Sequence, residues 1–121
     1  MATGFDVSPG GSDRPADEPF SVSVSADEDG GALVGVVGEV DMATADQLWA
    51  AVIEAMTTWT GAVVVDLSGV TFLDSQGIHA LIRTHKDCGI DAARLTLRSP
   101  SKQVREVFEI TGIDRILQIE D

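Results

Sequence analysis

The chain has 121 residues, of which 44% are hydrophobic, so we expect one globular domain with a single core. Its formal net charge is −12, from 20 acidic and 8 basic residues. Nucleic acid and anionic lipid are therefore poor partners, because both require clustered lysine and arginine. No apolar run approaches the length that crosses a bilayer, the start of the chain lacks a secretory signal, and the single cysteine, Cys88, excludes an internal disulfide. We expect a cytoplasmic protein without membrane contact.

The negative charge is concentrated in the first two thirds of the chain. Residues 1–82 contain 13 acidic residues and one basic residue, Arg14, whereas residues 83–121 contain seven of each kind. This distribution favours a protein partner with a basic patch. The alternative is that the charge only maintains solubility.

The chain begins with a segment of low complexity and continues into a predicted hairpin. Residues 1–19 are rich in Gly, Pro, Ser and Asp, which predicts a flexible tail ahead of a domain that spans residues 20–121. Three apolar residues from Phe20 to Val24 then alternate with serines, as in a half-buried strand. A turn at residues 27–31 leads to a second strand over residues 32–40.

A first helix follows the hairpin. Thr44 and Gln47 have the spacing of a capping box, in which the threonine side chain caps the helix. The helix is expected to continue to about Thr58 and to be stopped by Gly61. Trp49 lies off the buried stripe, so it is either an exposed interface anchor or packed under the tail.

The next segment predicts a buried strand and a second helix. Residues 62–67 form a short, β-branched apolar run that is typical of a strand buried on both faces. Ser68-Gly69 is interpreted as an interruption before residues 70–74. The second helix is expected from about Ser75 to Asp87, and Gly89 ends it.

The remainder predicts one more strand and one more helix. Residues 94–98 form a strand, and Ser99-Pro100 is interpreted as the cap and first position of a third helix that stops at Gly112. Residues 113–119 close the chain with a helical turn and an edge strand. The element order predicts an α/β fold with a mixed, mostly parallel sheet, an N-terminal hairpin and three to four helices largely on one face.

Ser75 is the residue with the clearest functional potential. It lies where a loop meets a helix N-terminus, and the free N–H groups there tolerate a phosphate. The same phosphate would add about −1.5 to −2 charges beside Asp74 and disturb an interface at that position. The alternative is that Ser75 serves only as the N-cap.

Three segments together resemble the STAS domain family, in its bacterial anti-sigma-factor antagonist branch. They are residues 38–45, residues 66–77 with the sequence DLSGVTFLDSQG, and residues 99–113. The resemblance extends from about Phe20 to Ile119. Relatives often have a second Ser or Thr after the acceptor, where this chain has Gln76.

The resemblance implies a partner-switching mechanism. The unmodified protein would bind an anti-sigma factor that is also a serine kinase and so free a sigma factor. Phosphorylation of Ser75 would end that binding, and a serine phosphatase would reverse it. The implied site consists of the acceptor Ser75 with Asp41 and Asp74 on the docking surface near it. To the same surface we assign Thr44, Gln76, Gly77, His79 and Arg83.

Helix geometry adds a hypothesis about His79. Ser75, His79 and Arg83 lie four residues apart and share a helix face, so His79 is expected to contact the kinase and later to pair with the phosphate. The alternative is an ordinary exposed histidine. The two histidines and the one cysteine do not have the spacing of metal ligands, so neither a metal nor another cofactor is expected. A monomer is the default for a domain that docks on a larger partner.

Three other classes of function are alternatives to this one. A hydrolase would combine Ser75 with His79 or His85 and with Asp66, although the nucleophile-elbow glycine is replaced by Leu73. A phosphate receiver would use Asp66 at a strand end. The most serious alternative keeps the STAS fold but makes it a scaffold or accessory subunit without a phosphorylation switch.

Overall fold

The computed structural model of the chain describes residues 19–27 and 29–121. The predicted tail, residues 1–19, lies outside the described residues except for Pro19. Within the described part the chain forms five strands and three α-helices. In chain order these are β1 (Ser21–Ala26), β2 (Ala32–Val40), α1 (Ala45–Thr58), β3 (Val63–Leu73), α2 (Ser75–Cys88), β4 (Leu95–Arg98), α3 (Lys102–Thr111) and β5 (Gln118–Glu120), with 3-10 helices at Gly89–Arg94 and Ile113–Arg115.

The strands lie side by side in the order in which the chain makes them, β1-β2-β3-β4-β5. β1 pairs antiparallel with β2, and each later pair is parallel. Each crossover advances one strand in the same direction, and right-handed connections then place the three helices on one face of the sheet. The predicted α/β class with a mixed sheet and an N-terminal hairpin is confirmed.

The core lies between this sheet and the helices. β2 alternates between buried and half-buried residues, and Val34, Val36 and Val40 are at most 1% exposed. Each fully buried aliphatic side chain of this kind stabilises the fold by about 1.5–3 kcal/mol. Leu48, Val52 and Ala55 of α1 are also buried at the spacing of one helix face, while Trp59, just after the helix, is only partly covered.

β3 is one continuous strand, so the predicted interruption at Ser68-Gly69 is wrong. The strand instead absorbs two irregularities in its pairing with β2. Between the pairs Gly35–Asp66 and Val37–Gly69, β2 advances two residues and β3 three. A Cβ atom at position 69 would lie 2.9 Å from the carbonyl oxygen of Val36, so glycine allows the strands to remain close at this bulge.

The two ends of α1 are stabilised differently from the prediction. Thr44 is the N-cap residue, but its backbone is helical, at φ −115° and ψ −13°, and its side chain makes no capping hydrogen bond. The predicted capping box is therefore wrong. At the other end, the Arg94 guanidinium donates to the carbonyl oxygens of Met56, Trp59 and Gly61. A cation from a distant segment thus supports the negative end of the helix.

α3 begins two residues later than predicted. Ser101, not Ser99, is the N-cap, and its hydroxyl accepts from the Val104 N–H at 3.3 Å. Ser99 has a left-handed backbone with φ +57°, and its N–H donates to the Glu120 carbonyl at 2.8 Å. The Ser99 N–H is therefore used in the contact between β4 and β5, and this residue does not cap α3. The predicted stop at Gly112 is confirmed, with φ +79°.

Candidate partner-binding site

The candidate site lies at the carboxyl ends of β2 and β3, which are paired up to Val40 and Leu73. The chain leaves the sheet there through Asp41 and Asp74. The Asp74 N–H donates to the Val40 carbonyl at 3.2 Å, which fixes one loop to the end of the neighbouring strand. The two acidic positions that the sequence analysis assigned to one surface thus follow adjacent strand ends.

Ser75 is the first residue of α2 and its side chain is exposed. The N-cap is Asp74, whose Oδ1 accepts from the N–H groups of Gln76 at 2.8 Å and Gly77 at 3.1 Å. The alternative that Ser75 is the N-cap is therefore wrong. Since Asp74 supplies the cap, the start of the helix does not depend on the Ser75 hydroxyl.

Asp41 and Thr44 form a compact turn between β2 and α1. The Thr44 hydroxyl donates to the Glu39 carbonyl at 2.9 Å and accepts from the Asp41 N–H at 2.9 Å. Asp41 Oδ1 accepts from the Ala43 N–H at 2.9 Å. These contacts explain why the hydroxyl does not cap α1, and they leave Met42 at the tip of the turn with 78% of its surface exposed.

Gly77 is buried, so it contributes to the site through packing and not through exposed surface. A Cβ atom there would lie 2.8 Å from Leu73 Cδ1 and 2.9 Å from the Val40 carbonyl oxygen. Glycine therefore allows the first turn of α2 to pack directly against the ends of both strands.

Gln76, His79 and Arg83 line one shallow cleft with the first turn of α1. The cleft has a volume of about 100 Å³, and Ala45 and Asp46 form its opposite wall. Gln76 and His79 are exposed beside Ser75. His79 and Arg83, which their helical spacing predicted on one face, thus line the same cleft, and Gln76 lines it as well.

The Arg83 side chain is exposed but already contacts other residues of the protein. Its Cζ lies 4.0 Å from the centre of the Trp49 ring, and its nitrogens lie 3.6 Å from Asp46 Oδ1 and 3.7 Å from Asp87 Oδ2. Trp49 Nε1 donates to Asp87 Oδ2 at 2.9 Å. We name these four residues the α1–α2 cluster. Trp49 thus packs against α2, a contact that the sequence analysis missed because nothing local links residues 49 and 83.

Distance along the helix also separates Arg83 from Ser75. Eight residues of α-helix span about 12 Å, so Arg83 lies two turns away from the serine hydroxyl. His79 is one turn away, at about 6 Å along the axis. His79 is therefore the nearer of the two to a group on Ser75, and Arg83 is held in the α1–α2 cluster.

A groove that the sequence analysis did not identify lies between the end of β3 and α3. Its volume is about 470 Å³, and we name it the α3 groove. Phe72, at its edge, is 51% exposed. Its detection requires knowledge of where α3 packs, since its two walls lie some thirty positions apart in the sequence. The lining residues are Glu39, Thr71, Phe72, Leu73, Gln103, Val104 and Val107.

The position of Asp66 argues against two of the alternative functions. It is the fourth residue of β3 and pairs in register with Gly35 and Arg98, in the middle of the sheet. Seven residues of strand to Leu73 span about 20 Å, so Asp66 cannot orient a histidine beside Ser75. Nor does it lie at a strand end, where a receiver would need its acceptor.

The whole of this site falls within a match to a known family. The model of the STAS domain matches residues 23–121, which includes both strand ends, α2 and α3. The chain belongs to the STAS domain family.

Relatives of this STAS domain include regulators of sigma factors. It is 30% identical over 102 residues to the anti-sigma-F factor antagonist RsfB of Mycobacterium tuberculosis, covering 84% of this chain and 83% of that protein. The crystal structure of an anti-sigma factor antagonist from Mycobacterium paratuberculosis superimposes with a TM-score of 0.74 and 30% identity, over 84% of this chain and 86% of that one. Unphosphorylated SpoIIAA, another anti-sigma factor antagonist, matches with a TM-score of 0.66 and 20% identity, over 82% and 87% of the two chains.

Among the described residues, no helix is both long and apolar enough to cross a bilayer.

Proposed function

We propose that this STAS domain is an anti-sigma factor antagonist whose binding is switched by phosphorylation of Ser75. The unmodified domain binds an anti-sigma factor that is also a serine kinase, and the phosphorylated domain does not. The observation that carries the proposal is the exposed Ser75 hydroxyl directly after the capping Asp74, in a chain 30% identical to an anti-sigma-F factor antagonist.

The position of Ser75 favours a switch that leaves the fold intact. In the transfer, the Ser75 oxygen bonds to the γ-phosphorus of ATP, the bond to the β-bridging oxygen breaks, and the hydroxyl proton passes to a base of the kinase. The product phosphate lies at the positive end of the α2 dipole, where an anion is stabilised. The domain therefore tolerates the modification.

The same phosphate opposes binding. It adds about −1.5 to −2 charges beside Asp74 and Asp41, on a surface that is already acidic. A kinase that has just transferred its γ-phosphate holds ADP against that surface, so like charges face each other across the interface. Desolvation of a dianion in a close contact adds a further cost. A serine phosphatase would restore the binding form.

The docking surface that we propose surrounds Ser75. Asp41, Asp74, Gln76 and His79 contribute side chains that the partner contacts, and Arg83 forms its outer edge. Thr44 and Gly77 shape the surface through the turn and the close packing that they allow.

The first test is intact mass spectrometry after incubation with ATP and each purified anti-sigma kinase of the same organism. We expect the wild type to gain one phosphate and Ser75→Ala to gain none, while Ser75→Ala still binds the same kinase and Ser75→Glu does not. No gain with any kinase would contradict the switch and favour a STAS scaffold or accessory subunit. A gain in Ser75→Ala would place the acceptor elsewhere.

His79 has a separate test. We propose that His79 contacts the kinase and pairs with the phosphate after transfer, because it lies one turn from Ser75 and is exposed. His79→Ala should weaken kinase binding and slow phosphorylation, whereas His85→Ala, three residues before the end of α2, should change neither. Equal affinity and equal rates for His79→Ala and the wild type would show that His79 has no such role.

A further inference from the structure

We infer that the α3 groove is the second half of the partner-binding surface and receives an apolar side chain of the anti-sigma factor, carried on a segment that also contains lysine or arginine. This inference rests on the proposed function and names a contact that the phosphorylation site does not supply. The apolar side chain would anchor the partner in the groove, and Ser75, which lies beside the groove, would switch the binding off.

The groove has the properties of an anchor pocket. Its volume of about 470 Å³ lies within the range of sites that enclose a ligand group. Leu73, Val104 and Val107 provide apolar walls, and Phe72 exposes 51% of its surface at the edge. Aromatic residues beside such pockets are the ones that dominate binding energy in protein interfaces.

The apolar surface continues beyond the groove. Val107 lines it, and Ile110 lies one turn further along α3 with 85% of its surface exposed. Residues three apart on a helix are neighbours, so these two side chains form one stripe. A contiguous exposed apolar surface of this kind marks an interaction site more often than scattered single residues do.

The groove is continuous with the proposed phosphorylation site. Leu73 lines the groove and is followed directly by Asp74 and Ser75. Glu39 lines it as well, and its carbonyl oxygen accepts the Thr44 hydroxyl hydrogen bond that shapes the acidic turn. A single partner that covers Ser75 therefore reaches the groove across two residues.

Charge selects the occupant. The groove contains the Glu39 carboxylate and adjoins Asp41 and Asp74, so its strand-end side is acidic. The other wall, α3, contains Lys102 beside Gln103, and Arg105, which pairs with Asp121. A fatty acid would bring a second carboxylate against Glu39, and a second copy of this chain would bring one acidic surface against another. A partner segment that places a basic residue beside its apolar anchor neutralises this charge.

The test uses the anti-sigma factor kinase that phosphorylates Ser75, with its dissociation constant measured by isothermal titration calorimetry. Phe72→Ala removes the edge of the groove, and Gln103→Trp fills its mouth from an exposed position on α3 that does not disturb the core. Ile90→Ser is the matched control, because Ile90 is 96% exposed and lies in the 3-10 helix after α2. We expect at least a tenfold weakening for the first two variants and less than a twofold change for the control.

The charge part of the inference has its own pair of variants. Glu39→Lys should weaken binding more than Glu39→Gln, and the difference should shrink as salt is added. Equal effects of the two variants would overturn the basic character of the occupant.

Three results would overturn the groove as a partner site. The first is that Phe72→Ala and Gln103→Trp bind the kinase with an affinity within twofold of the wild type while Ser75→Glu does not bind. That result would leave the proposed function intact. The second is concentration-dependent dimerisation that Phe72→Ala removes, and the third is a small apolar molecule that native mass spectrometry finds bound to the wild type alone. Binding of Ser75→Glu with wild-type affinity would instead contradict the proposed function itself.

Discussion

The α1–α2 cluster lies along the second half of α2, the α3 groove lies beside the strand end that leads into α2, and the two differ in what their side chains already contact. In the cluster, the Arg83 guanidinium stacks on Trp49 and faces two carboxylates. In the groove, the Phe72 ring is half exposed beside an open apolar volume. The more charged α1–α2 cluster therefore has fewer groups left to contact a partner, and the less charged α3 groove has more.

The difference teaches that exposure alone does not make a residue available to a partner. A partner that recruits Arg83 must first replace the internal stack and ion pairs, which together contribute about 1 kcal/mol or slightly more at an exposed site. A partner that covers Phe72 replaces only water. Four substitutions or titrations would break or sharpen this contrast.

The largest effect is expected for Gly77→Ala, which would push the first turn of α2 away from the ends of β2 and β3. The added Cβ would lie 2.8 Å from Leu73 Cδ1 and 2.9 Å from the Val40 carbonyl oxygen, so the first turn of α2 must shift. Overpacking of this kind costs about 1–3 kcal/mol of unfolding free energy. Urea denaturation measures it.

The matched control is Gly35→Ala. There the nearest atom to a new Cβ is Ser23 Oγ at 3.2 Å, and that side chain can rotate away. The unfolding free energy of Gly35→Ala should stay much closer to that of the wild type. Equal losses in the two variants would contradict the close-packing role of Gly77.

A smaller effect is expected for Asp74→Ala, at the point between the two surfaces. Loss of the two N-cap hydrogen bonds should lower the unfolding free energy by about 1 kcal/mol, and Asp74→Asn should retain most of it because its amide oxygen accepts the same bonds. Thermal unfolding monitored by circular dichroism compares the three proteins. If Asp74→Asn loses as much as Asp74→Ala, charge and not capping is what Asp74 supplies.

Arg83→Ala tests the cluster directly. It should lower the unfolding free energy by about 0.5–1 kcal/mol, and it should change the tryptophan fluorescence because Trp49 loses the cation over its ring. The affinity for the anti-sigma factor kinase should fall by much less than for Phe72→Ala, because Arg83 lies at the outer edge of the docking surface and is already engaged by the cluster. A loss of affinity as large as that of Phe72→Ala would remove the distinction between the occupied and the open surface.

The smallest effect concerns Cys88, which follows Asp87 of the cluster. Partial burial raises the pKa of the Cys88 thiol, although Arg94 acts in the opposite direction. Since the folded state retains this proton to higher pH than the unfolded state, stability should fall slightly as the pH rises through and above the pKa of an unfolded cysteine, about 8.5.

Alkylation by iodoacetamide as a function of pH measures this shift. The apparent pKa of Cys88 in the folded domain should exceed that of the same residue in urea. An equal or lower value in the folded domain would mean that Arg94 outweighs the effect of burial.

Sequence patterns predicted the elements of this fold well, because local periodicity determines them. The alternation of valines in β2, the buried start of β3 and the stops at Gly89 and Gly112 all follow from the residues themselves. The errors arise where a distant segment decides. Pairing with β5 holds Ser99 away from the helix, and Arg94 supports the end of α1 from more than thirty residues away.

The candidate site was predictable to the same extent. The position of Ser75 at the start of α2 follows from the local sequence, and the shared face of His79 and Arg83 follows from helical spacing. The burial of Gly77, the engagement of Arg83 by Trp49 and the α3 groove depend on how helices pack on the sheet. Single-sequence patterns carry no information about that packing.

The strand order has a consequence for how the protein is made. Since spatial order equals chain order, each strand pairs with the strand synthesised just before it, and none must be inserted between two others. A nascent chain emerging from the ribosome can therefore extend its sheet at one growing edge, with each helix covering the strands already present. β5, which forms the edge reached last, has only three residues, so this edge is short and offers little template for association with another chain.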